Sequence, residues 1–300
     1  MGEENFHRKF FQVAEITIEV RSDLPFREDT FSPAINMFEV KTPGKDNVSI
    51  HHHFQPIEPD ETKLGKEIYQ KVPWAIFQNE TGFTYVWITQ LIPGDKRRRA
   101  AYFNPDHSLG TIYNDDIREE YFLGGNVKSL TLFPTDQILL GRLMADRNGC
   151  ILHSAGMKIN GKGYLFVGHS DAGKSTITQL LQSRGKILCD DRCIVRRKND
   201  GFHLFGTWSH GDVADVSPES APLAGVMFLN QAKTNRLDPV KDEMASAKKT
   251  ISCLIKPMVT PKWWNAMLDL ADRLAGEVPC WDLYFDKSGK IGEIFDKELK

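Results

Sequence analysis

The chain is 300 residues long, 41% hydrophobic and 26% charged, enough to bury one large core or two modest ones. With 38 Lys and Arg against 40 Asp and Glu, the formal net charge of −2 exerts no global pull toward nucleic acid or an anionic membrane. No apolar run approaches the length of a membrane span, the start Met1-Gly-Glu-Glu-Asn-Phe-His-Arg lacks the apolar core of a secretory signal, and Phe6 stands where a myristoylation signal needs Ser or Thr; a soluble, cytoplasmic protein is expected.

Residues 12–20 set Ala14, Ile16, Ile18 and Val20 at period two, which predicts a half-buried strand. Strand-like runs follow at Ala34–Val40, Val48–Phe54, Trp74–Gln78, Phe83–Ile92, Ala100–Asn104 and Ser108–Tyr113, separated by Pro, Gly, Asp or Asn. Pro93–Arg99 reads as a hairpin tip carrying cations, either a solvated loop or a contact for phosphate or an acidic partner. His51-His52-His53 invites a metal, but neighbours on a strand point to opposite faces, so the three cannot converge on one ion while extended. Residues 1–125 therefore read as a β-rich N-terminal domain in which nothing names a chemistry.

The pattern changes after residue 125. Pro134–Gly149 opens with Pro, spaces Ile138, Leu139, Leu143 and Met144 helically, and stops at Asn148-Gly149. A strand over Cys150–Ile159 meets Gly163–Val167 across Asn160-Gly161, a strong hairpin signal, so the second strand is expected to pair antiparallel. Gly168-His-Ser-Asp-Ala-Gly173-Lys174-Ser175 follows, then an amphipathic helix over 175–184. Strand, Gly-bounded loop and helix start are the setting of a phosphate-binding P-loop, or Walker A motif; an ordinary Gly-rich turn is the plainer alternative. Gly168 and Gly173 let successive N–H groups turn inward around phosphate oxygens. On this reading Gly168, His169, Ser170, Asp171, Ala172, Gly173, Lys174, Ser175 and Thr176 cradle ATP, Lys174 reaches the outer phosphates, and Ser175 ligates Mg2+.

Beyond Arg184-Gly185, a short strand over Ile187–Cys189 delivers Asp190 and Asp191 to the sheet edge where ligands gather in α/β folds; the plainer reading is a solvated strand end capped by Arg192. A second hairpin (Cys193–Lys198, Phe202–Thr207) leads to a polar loop whose His210 and Asp212 are placed to fold over the site. A strand at Ala224–Leu229, helices over 242–255 and 261–276 with Thr260 as N-cap of the latter, and a closing hairpin of Cys280–Phe285 with Lys290–Phe295 complete the chain. The five cysteines are odd in number and sit mostly in apolar runs, as buried free thiols do, and no second pair joins Cys189 and Cys193 to complete a zinc site.

The order His153, hairpin, Gly168–Ser175 loop, Arg184-Gly185 and Asp190-Asp191-Arg192 resembles the kinase domain of HPr kinase/phosphorylase, which phosphorylates a serine of a sugar-transport protein, and more distantly phosphoenolpyruvate carboxykinase. HPr kinase-related proteins are more similar still, with counterparts of Gly206-Thr207-Trp208, Ala221-Pro-Leu223, Asn235-Arg236 and Val278-Pro-Cys280. The resemblance covers roughly residues 126–300 and implies an α/β fold: an HPr kinase/phosphoenolpyruvate carboxykinase-like P-loop domain of mixed sheet and helices, preceded by the β-rich domain. It makes Asp190 the base for the attacking hydroxyl, lets Asp191 hold Mg2+ with Ser175, and sets His153 beside the reacting phosphoryl group; with Lys174 these are the expected catalytic residues. Two positions depart from the family pattern: Asp171 stands where a Gly is usual, and a metal-assisting Glu is replaced in the strand His203–Gly206, leaving Asp212 as its substitute.

The expected function is an ATP- and Mg2+-dependent kinase, a transferase acting on a hydroxyl of a protein, a peptide or a small molecule, with the N-terminal domain recognising the acceptor. The resemblance also implies a homo-oligomer; no nucleic acid or membrane partner is expected. Two other readings compete: a catalytically inactive nucleotide-binding module that signals through a partner, and an ATPase or GTPase with its own hydrolysis rate.

Overall fold

The computed structural model describes residues 6–88, 99–133, 136–256 and 260–298. They fall into two compact units, 1–143 with 258–260, and 144–257 with 261–300.

In the first unit, β1 (His7–Val13) and β2 (Ile16–Ser22) form a hairpin. The single strand expected over 12–20 is broken by a two-residue turn in which Ala14 and Glu15 both take positive φ, 49° and 64°. Neither is the Gly or Asn that marks such turns, so the sequence hides it. Ser32 then caps α1 (Pro33–Asn36), with Pro33 in the first turn where its missing N–H costs nothing, and only β3 (Glu39–Val40) survives of the strand expected over 34–40. β4 (Asp46–His53), β5 (Lys66–Lys71), β6 (Trp74–Asn79), β7 (Gly82–Trp87), β8 (Ala100–Phe103) and β9 (Leu109–Tyr113) complete a nine-stranded sheet of order β3-β1-β2-β4-β9-β8-β7-β6-β5. Its β2–β4 and β4–β9 pairs are parallel and the rest antiparallel. β5 was not expected.

Strand alternation divides the sheet into two faces. Val48, Ile50 and His52 of β4 are buried, and His52 Nε2 lies 2.8 Å from the Leu130 carbonyl. The core is closed by α2 (Asp116–Gly124), also not expected, and by α3 (Gln137–Ala145), which replaces the longer helix expected from Pro134; Pro134 itself lies outside the described residues. Asp136, fully buried, accepts from the Leu130 and Thr131 amides and the Ser129 and Thr131 hydroxyls at 2.7–2.9 Å. Of the cationic tip expected at 93–99 only Arg99 is described, and it is buried: its guanidinium donates to the Leu132 carbonyl at 3.0 Å and lies over Trp87.

The second unit begins with β10 (Gly149–Ile159) and β11 (Lys162–Val167), joined at Asn160 and Gly161 with φ of 50° and 78°, as the Asn-Gly signal predicts. α4 (Lys174–Leu181) and a 3-10 turn lead to β12 (Gly185–Cys189), then β13 (Arg192–Lys198) and β14 (Gly201–Phe205). β15 (Ser220–Gln231), β16 (Arg236–Pro239), α5 (Glu243–Ser252), α6 (Pro261–Glu277), β17 (Cys280–Phe285) and α7 (Ile291–Glu298) follow. The closing hairpin is therefore not formed. Ile291, Ile294 and Phe295 recur at helical spacing, and their segment coils against the core while β17 pairs instead with β15 and the unforeseen β16.

Pairing of β10 with β13, β13 with β14, β14 with β15, β15 with β11 and β11 with β10 closes a ring of five strands. The apolar run of β11 serves two cores by alternation. Leu165 and Val167 pack with α6, whereas Tyr164 and Phe166 pack with α4 and α7. The Gly-bounded loop thus leaves a strand anchored on both faces and both edges.

Candidate functional site

The loop between β11 and α4 turns twice through left-handed backbone, at Asp171 (φ 61°) and Gly173 (φ 95°). A Cβ at Gly173 would come within 2.8 Å of Phe285 Cζ, and one at Gly168 within 2.5 Å of Ala172 Cβ, so the loop closes this tightly only with glycine at both ends. His169, Ser170 and Asp171 form its exposed tip, braced by Gln231 Nε2 donating to the Asp171 carbonyl at 2.6 Å. The α4 dipole, positive at Lys174, points into the loop.

Lys174 is buried, and its ammonium donates to the Gly168 and His169 carbonyls at 3.1 and 2.9 Å. Burial lowers its pKa, against the pull of Asp191, Cys253, Asp190 and Asp171. Ser175 Oγ donates to Asp190 Oδ2 at 3.0 Å, which joins the first turn of α4 to the β12–β13 turn.

Asp190 and Asp191 leave the end of β12 in opposite settings. Asp190 is 1% exposed and accepts from the Gly211 and Val213 amides at 2.6 and 2.9 Å as well as from Ser175. Asp191 is more open: its carboxylate lies 3.2 Å from His153 Nδ1 and 2.6 Å from the Arg192 guanidinium, and accepts from Ser209 Oγ at 3.1 Å. Burial works to raise its pKa, but the His153 hydrogen bond, the Arg192 charge and the Ser209 hydroxyl outweigh it and hold the carboxyl below its ordinary range.

The structure thus brings Lys174, Ser175, Asp190, Asp191 and His153 to one end of the second unit. His210 and Asp212 are exposed, and their loop serves Asp190 through its backbone amides instead. The sequence reading gave Thr207 and Ser209 no part in the site and weighed Cys189 only as a zinc ligand. The Cys189 sulfur accepts from the Asp191 and Arg192 amides at 3.4 and 3.1 Å, and Thr207 Oγ1 donates to the Arg192 carbonyl at 2.6 Å. A Cys two residues before Asp191 carried a faint signal as the pivot of a tight turn. All five cysteines are free and buried, as expected.

A cavity of about 440 Å³ adjoins the loop on its Gly173 and Thr176 side, lined also by Gln231, Lys233, Phe285 and Asp286. The Ser288 hydroxyl and the Asn235 amide hold Asp286 ionised, with its pKa down to about 2.

These features define a mixed α/β protein whose second unit presents a Gly-bounded strand–loop–helix beside paired carboxylates. The chain belongs to the family described as SynChlorMet cassette protein ScmC, whose family model matches residues 135–300. No curated protein matches it. Among solved structures, the HPr(Ser) kinase/phosphatase from Coxiella burnetii matches at 12% identity over 50% of this chain and 87% of that one, with a TM-score of 0.29.

Proposed function

We propose that the chain is an ATP- and Mg2+-dependent kinase that transfers the γ-phosphoryl group to a hydroxyl. The observation that carries this reading is the 3.0 Å bond from Ser175 to Asp190, which sets a loop ammonium, a metal-competent hydroxyl and two carboxylates at one strand edge. The residues fit both ligands. The glycine-limited loop offers backbone N–H groups and Lys174 to phosphate oxygens, and the cavity at Thr176 has room for a nucleoside against Phe285. Mg2+, held by Ser175 and a carboxylate, would neutralise charge on the phosphate oxygens.

In the transfer a bond forms from the acceptor oxygen to the γ-phosphorus, the bond from that phosphorus to the β–γ bridging oxygen breaks, and the hydroxyl proton passes to a base. The geometry favours exchanging the two roles that the resemblance implies. Asp190 is enclosed and already bonded to Ser175, which suits a metal-side anchor, whereas the more open Asp191, paired with His153, suits the base that orients the acceptor. On this reading Lys174 releases its two loop carbonyls for the phosphates.

A nucleotide-binding module without turnover is the second reading, favoured by the exposed carboxylate of Asp171 at the loop tip. Calorimetry with Mg-ATP and transfer of labelled phosphate separate the two. Lys174→Ala should weaken nucleotide affinity by about 100-fold or more, and Asp191→Asn should keep affinity while losing transfer. Full affinity in Lys174→Ala would end the proposal, and binding without transfer to any acceptor would leave the module. The family's description as a cassette protein makes the products of that cassette the first acceptors to screen.

A further inference from the structure

The first unit carries a site of its own, independent of the kinase reading. His51 and His53 alternate with the buried His52, so both imidazoles stand on the open face of β4. Asp23, the residue after β2, lies between them: its Oδ1 is 3.0 Å from His51 Nε2 and its Oδ2 2.9 Å from His53 Nδ1. Among the described residues this is the single group of three such side chains whose ligand atoms all lie within 4.8 Å of one another. The expectation that three consecutive histidines cannot share an ion holds, but it left out the partner that the parallel β2–β4 register supplies.

We infer that Asp23, His51 and His53 form a binding site for a divalent transition-metal ion, Zn2+ being the ion the donors suit. Metal–ligand bonds of about 2.0–2.2 Å put neighbouring tetrahedral ligands roughly 3.3 Å apart. The two histidine–carboxylate separations lie near that value and all three ligand atoms lie within 4.8 Å of one another, so side-chain rotation can bring one carboxylate oxygen and both neutral imidazoles, each protonated on its other ring nitrogen, onto one ion. The ligands are already fixed. The Asp23 amide donates to the His52 carbonyl at 3.2 Å, His53 stacks on Tyr113 with centroids 5.2 Å apart, and the Asn114 amide donates to the His53 carbonyl at 2.8 Å. Arg21, the neighbouring cation, is paired with Glu19 at 2.7 Å, so its charge is offset.

Three protein ligands leave the fourth position open, as catalytic and ligand-exchanging zinc sites do. That position has somewhere to lead. His51 also lines a groove of about 570 Å³ on the polar face of the sheet, with Arg21, Ser49, Thr84, Tyr102 and Thr111. A small anion or hydroxylated ligand in the groove can complete the coordination.

The test uses the full chain, stripped with chelator, loaded with ZnCl2 and dialysed, with retained zinc read by elemental analysis and Co2+ substitution read by visible absorption. About one equivalent retained, with tetrahedral Co2+ bands, is the expected result. Asp23→Asn and His53→Gln should each weaken binding by more than about 100-fold, beyond the loss typical of an outer partner. Both positions are solvent-accessible, and melting of the metal-free variants reports folding; should one fail to fold, the other carries the test. Lys174→Ala should retain its zinc, which separates this site from the phosphate loop. No retained metal, or equal retention in the variants and the wild type, overturns the inference.

Discussion

At the scale of single residues, environment divides groups of one chemistry. Asp190 and Asp191 are sequence neighbours, yet one is locked by two amides and a hydroxyl and the other faces a histidine and an arginine. The histidines divide likewise. His107 is fully buried with Nε2 2.6 Å from the Tyr85 hydroxyl, and burial lowers its pKa to about 3. Its unfolded value is about 6.5, so between these limits the unfolded chain binds a proton that the folded chain refuses. Stability is full above about pH 6.5 and falls as the pH drops from there toward 3. From this residue alone, urea unfolding at pH 5 should give about 2 kcal/mol less stability than at pH 7. His107→Asn should flatten that dependence; an unchanged slope would mean that the imidazole is not held neutral.

At the scale of elements, the sequence was legible where local chemistry and tertiary context agree. Asn160-Gly161 gave its hairpin, Asp242 caps α5, and the alternation of β4 and β9 placed those strands to within a few residues. Misreadings came where context decides. Ala14-Glu15 carries no turn signal, and Ile291, Ile294 and Phe295 stand at helical rather than alternating spacing, a signal overridden by the apparent turn at Lys287-Ser-Gly-Lys290; in the structure Phe295 packs on Tyr164 and Phe166 from a helix. The loop and acidic pair of the candidate site were visible because each is a contiguous string. Asp23 and Ser209 were not, since their relevance comes from strand register and loop closure. Phe295→Ala should remove the ring that touches both β11 aromatics and destabilise the second unit by about 3–5 kcal/mol, as measured by denaturant melts. A loss under about 1 kcal/mol would show that α7 is not part of that core.

At the scale of the whole molecule, two units with separate cores carry the two proposed sites, nucleotide in the second and metal in the first. A ligand that binds only the native state stabilises it by about 2.7 kcal/mol at a hundredfold excess over its dissociation constant. Calorimetric scans should therefore show a later melt with either Mg-ATP or Zn2+, and hydrogen exchange should show Mg-ATP slowing the local opening of amides around α4 and the β12–β13 turn and Zn2+ that of amides around Asp23 and β4. The ring of five strands in the second unit has a mechanical consequence. A sheet with open borders can fray one ribbon at a time, whereas a hoop must break somewhere before any ribbon leaves. β11, which delivers the glycine loop, is therefore a poor place to begin unravelling, and the cradle is held to its position by the circumference rather than by its own few contacts.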